Sequence, residues 1–137
     1  MAPHGNDTGA DLLADFLAWE NRNKTNSPLL FLKGELKKWA VAPIDWTITD
    51  EETVRALHTK DWAELTVCNE AAVALAFAVL KTRGACPPDL VHMALASITR
   101  TGIIIKDSSL GEDIKAQWDT ALSRMKHKLE SLPTPTG

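Results

Sequence analysis

The chain is poor in most of what usually announces a chemistry. It has 137 residues, only two cysteines, no tyrosine and a net charge of −3. Two cysteines, Cys68 and Cys86, are too few for the disulfide framework of a small secreted domain. They read as reduced, partly buried thiols. A negative balance supplies no global basic field for nucleic acid or acidic lipid. The opening stretch, MAPHGNDTGAD, has no basic region followed by an apolar one, so no export signal is expected. The expected location is therefore intracellular, in the cytoplasm.

Long apolar runs are also missing. The longest of note, Ala71–Leu80 (AAVALAFAVL), holds ten residues without charge or a hydrogen-bonding side chain. A membrane span needs ~20, so no membrane partner is expected. Ten such residues cover every face of a helix, and a helix apolar all round is normally buried on all sides.

Recognisable motifs are absent as well. Neither GxxxxGK[ST] nor GxGxxG occurs, which removes the common phosphate cradles. The side chains that could hold metal are His4, His58, His92, His127, Cys68 and Cys86, without CxxC, HxxxH or HExxH spacing. No metal and no cofactor is expected. Cys86 precedes a helix start, a place that lowers thiol pKa in principle. His92 lies on that same helix, out of direct reach, and no third group orients the pair. No catalytic residue is assigned, and an enzyme is not expected. Glu70, at the edge of the apolar run beside Asn69, is the carboxylate of most interest, since burial would raise its pKa and demand a partner.

What the chain does have is helical punctuation. The expected fold is all-α: one domain over residues 9–132, a bundle of about six helices around a central apolar helix at about 62–83. Residues 1–8 read as a flexible N-terminus and 133–137 as a disordered tail. Thr8 with Asp11, Thr49 with Glu52, Asp61 with Glu64 and Ser109 with Glu112 have capping-box spacing. Ser27-Pro28 places a preferred cap before a favoured first helical residue. Gly84 suits the left-handed position that ends a helix. Gly34 interrupts the second helix, where it weakens the helix and would let a neighbour approach.

The helical stripes follow from spacing. Leu12, Leu13, Phe16 and Leu17 share one side. Leu29, Leu32, Leu36 and Trp39 repeat at helical intervals, as do Leu90, Val91, Ala94, Leu95 and Ile98. Ile114, Trp118, Ala121, Leu122, Met125, Leu129 and Leu132 trace the last stripe. Thr101-Gly102 looks like a helix end. Ile103–Ile105 is then either a short buried strand or a distorted helix terminus.

With no tyrosine and five tryptophans, tryptophan is the main large aromatic that can anchor a core or an interface. Trp46 lies in the connection Ala42–Ile48, where Pro43 forbids helix at Ala42. Ile44, Trp46 and Ile48, with Trp39 nearby, are the candidate protein interface. The functional expectation is a non-enzymatic interaction or assembly module, a subunit of a homo- or hetero-oligomer. The alternative is a nucleic-acid-binding subunit. Lys33, Lys37 and Lys38, with Arg22 and Lys24, would track phosphates, and Trp39 would stack a base. A solvated helix face is the plainer account of those charges.

Overall fold

In a computed structural model of the chain, residues 5–132 are described, with side chains from residue 11 onward. The expectations for residues 1–4 and 133–137 lie outside the described residues. Five helices follow in order: α1 Gly5–Glu20, α2 Pro28–Lys38, α3 Glu51–Arg83, α4 Pro88–Asp107 and α5 Glu112–Glu130. The molecule is all-helical among the described residues, as the patterning indicates, but with five helices in place of about six.

The difference lies at Asp61. The segments expected at 49–59 and 62–83 count as one 33-residue element, α3, but its backbone leaves helical geometry at Asp61 (φ −133°, ψ 49°), so the two segments meet there at a kink. The start of α3 is capped by Asp50, not Thr49: its carboxylate accepts the Thr53 N–H at 3.0 Å. The end is as expected, with Gly84 left-handed at φ 77°. By length and composition α3 is one helix that could cross a membrane, and 50% of its most apolar window is buried inside the fold.

Three other boundaries differ. α1 is already helical at Thr8, which is therefore no cap. α5 begins at Glu112 after Gly111, not after Ser109. α4 runs through Thr101-Gly102 to Asp107, so Ile103–Ile105 is helix. Packing overrides local preference here. Ile103 is buried, and a Cβ on Gly102 would sit 3.8 Å from the Leu122 methyl of α5. The Thr101 hydroxyl donates back to the Ser97 carbonyl at 2.8 Å, so it needs no partner outside the helix.

The core is built on α3. Leu65, Cys68, Ala71, Ala72, Leu75, Ala76 and Val79 are fully buried, and α1, α2 and α4 pack against it. Alanine at positions 71, 72 and 76 lets neighbours approach from several sides. Among the described side chains of α1, Leu12 and Phe16 enter the buried hydrophobic core. Leu13 and Leu17, one step round the helix, stay exposed. Phe16, Trp19 and Phe31 form an aromatic cluster with ring centres 5.4 to 5.9 Å apart. Glu20 and Arg83 close the α1–α3 contact through two bonds of 2.6 and 2.8 Å. Cys68 and Cys86 are both free and buried, and burial pushes the Cys86 thiol up to about 11.

A candidate docking groove on the second helix

Ser27 caps α2 by accepting the Leu29 N–H at 3.2 Å, with Pro28 in the first turn. This fixes the register of an eleven-residue helix whose positions 29, 32, 33, 36 and 37 share one face. Glycine does not tighten α2 as expected: nothing lies within 4 Å of a Cβ built on Gly34.

α2 ends in a reversal made without glycine. Ala40 is left-handed (φ 57°), the Val41 N–H donates to the Leu36 carbonyl at 2.8 Å, and the Ala40 N–H to Lys37 at 3.1 Å. This pair of bonds is the Schellman helix terminus. It folds Val41 back over Leu36. A second turn follows, where the Asp45 carboxylate accepts the Thr47 N–H at 3.0 Å. That turn brings Trp46 round to face α2.

The result is a groove of about 560 Å³ between α2 and the 39–50 connection, closed on one side by Met93 of α4. Leu29, Leu32, Leu36, Val41, Pro43 and Trp46 line it, and Lys33 and Lys37 are the charged residues among its walls. Among the described residues no acidic side chain lines it. Trp46, Ile44, Ile48 and Trp39 are all half-buried, and Trp46, Ile44 and Trp39 pack against the core. Of these four expected interface residues, the groove gathers Trp46 alone.

A buried arginine holds this wall. Arg100 of α4 is fully buried. Its Nη1 donates to the carbonyls of Trp46 (3.1 Å) and Ile48 (2.7 Å), its Nε to Asn69 Oδ1 (2.8 Å) and its Nη2 to the Ser97 hydroxyl (2.9 Å). Burial lowers its pKa to about 10, so it remains a cation at neutral pH. The buried polar partner of Asn69 is thus Arg100, not its neighbour Glu70. Glu70 is half-buried, its Oε2 has no partner, and desolvation raises its pKa. Sequence patterning missed Arg100 because an arginine normally counts as surface. The available signal was its place three residues after Ser97, on the α4 face that enters the core.

The expected basic set is divided. Lys33 and Lys37 are exposed on the groove rim. Lys38 points the other way and bonds Asp15 of α1 at 3.0 Å. Arg22 and Lys24 are exposed in the α1–α2 connection. Beside Lys38 lies another residue that patterning missed, Glu35, only 7% exposed. Its Oε1 is 3.9 Å from Lys38 Nζ and its Oε2 has no partner. Burial, then the neighbouring Asp15 carboxylate, push the Glu35 pKa up to about 7, while Asp15 is held low by Lys38 and Glu35. A proton on Glu35, donated to Asp15, satisfies both. Position 35 follows Phe31 by four and Leu32 by three, which is the legible signal.

The hollow that His58 lines includes neither Glu70 nor His92. Among the described residues no group of three or more His, Cys, Asp or Glu side chains is arranged to hold a metal ion. No protein-family model, no curated protein and no solved structure matches the chain.

Proposed function

We propose that this chain is a non-enzymatic, intracellular interaction module that docks an acidic, apolar segment of a partner protein in the α2 groove. The observation that carries this reading is an apolar floor rimmed by two exposed lysines, with no acid in its lining among the described residues. An amphipathic helix lays its apolar face into such a groove, and its acidic flanks complement the rim. Trp46, Leu32 and Leu36 are the anchors, since buried aromatics at a groove centre carry most of the binding energy. Arg100 holds the Trp46 backbone in advance of binding, which lowers the ordering cost on association.

The test is selection of helical peptides against the full chain, with the Lys33→Glu/Lys37→Glu double variant as control. Enriched peptides should carry acidic residues beside large apolar ones at helical spacing. Their affinity should fall about tenfold or more for the double variant and for Trp46→Ala. Enrichment that the double variant shares would sink the proposal.

The alternative partner is a single strand of nucleic acid. It has less support, because Lys38 is committed to Asp15 and the groove floor offers phosphates nothing. An oligonucleotide that binds at about 50 mM salt and is released by about 200 mM would favour it over the peptide.

A further inference from the structure

α5 is thinly held. Of its 19 residues only Leu122 and Leu129 are buried, and it packs chiefly on α4. The stripe expected on α5 is wider than the surface α4 covers. Ile114 (41%) and Trp118 (40%) remain exposed, and so does Ala121, at the 4 and 3 residue spacing of a helix–helix seam. Met125 continues the seam, half-buried. Charge along the helix is polarised. Glu112, Asp113 and Asp119 fall in the first half, while Arg124, Lys126, His127 and Lys128 fall in the second; the exceptions are Glu130 and Lys115, whose ammonium is turned to the Lys106 carbonyl of α4 at 3.0 Å.

We infer that this face pairs with the same face of a second copy, α5 against α5 in antiparallel orientation. A two-fold axis near residues 119–120 sets Trp118 of each copy against Ala121 of the other. Large then meets small at the centre, and Ile114 meets Met125. The same axis lays Asp113 between Arg124 and Lys128 of the second copy. A parallel pair would set acid on acid and base on base. The helix is therefore complementary to itself in one direction only. This surface is separate from the α2 groove and the inference does not rest on the docking proposal.

The experiment is the mass of the full chain in solution, by sedimentation or light scattering across a concentration series. The expected result is a dimer. Trp118→Ser, at an exposed site, should raise its dissociation constant about tenfold or more while the circular dichroism is unchanged. Asp113→Lys alone and Arg124→Glu/Lys128→Glu should each weaken the dimer, and the three together should restore it. Lys33→Glu/Lys37→Glu should leave it intact. A monomer at every concentration, a dimer indifferent to Trp118→Ser, or failure of the combined charge swap to restore association would each overturn the inference.

Discussion

The Arg100 guanidinium lies 5.9 Å from the centre of the Trp46 ring and also donates to the Trp46 carbonyl at 3.1 Å. One side chain thus grips both the ring and the backbone of the residue that walls the groove. Replacing Arg100 by Met leaves two carbonyls and the Asn69 amide oxygen without their donor. The expected loss is about 3 kcal/mol, read from urea denaturation. Arg100→Lys should recover little, because an ammonium cannot reproduce the planar fork. A loss under about 1 kcal/mol for Arg100→Met would mean that the grip contributes little.

Glu35 gives the fold a pH dependence of known sign. Its folded pKa, about 7, lies above the 4.5 of the free side chain. The protonated acid therefore favours folding, fully below about pH 4.5, and the contribution is lost as pH rises to about 7. Asp15, held low, runs the opposite way and loses its contribution as the solution is acidified. Glu35→Gln keeps a donor toward Asp15 and cannot ionise. Relative to the unaltered chain it should gain stability between pH 5 and pH 8, on the order of 2 kcal/mol. A difference that does not change with pH would refute the assignment of the proton to Glu35.

Ala40 occupies a left-handed position that suits glycine. Ala40→Gly should raise stability by about 1 kcal/mol, a net of relieved strain and added freedom in the unfolded chain. The peptide affinity of the groove should be retained, because both terminal hydrogen bonds remain. Thermal unfolding and a binding titration check the two halves of this expectation.

Gly34→Ala is the matching change inside α2. Space is open around the site, so the only effect is on helix propensity. The gain should be about 1 kcal/mol. A destabilised variant would mean that a neighbour does approach Gly34 in solution.

Both thiols should be silent in the native state. Cys68 is fully buried, and Cys86, at about 11, is almost wholly protonated at pH 8. A thiol reagent at pH 8 should label neither side chain until denaturant is added, and then both.

Much of the fold was legible because helix punctuation is local. Ser27-Pro28 and Gly84 act where their side-chain and backbone preferences place them. The errors came where distant contacts decide. Asp61 carries every sign of a cap, and the backbone does leave helical geometry there, but the two segments stay joined at a kink as one element. Gly102 reads as a terminator, yet α4 continues through it and lies there beside Leu122 of α5. The site was less legible. Trp46 and Lys33/Lys37 were singled out by residue type, for two different partners, and nothing local says that one groove unites them and sends Lys38 elsewhere. Arg100 and Glu35 were invisible for one shared reason: a charged residue on a buried face becomes meaningful only once its partners are known.

The Arg100 bonds have a consequence in time. They reach 54 and 52 residues back along the chain, to Trp46 and Ile48. Closing a loop of that length is slow beside forming the neighbouring α3–α4 hairpin, whose contacts are nearer in sequence. The groove wall is therefore among the last parts to be completed. A nascent or partly refolded chain presents helices but no finished groove, so under the docking proposal partner capture would report on a finished molecule. In refolding followed by stopped flow, helical signal should return before peptide-binding competence does.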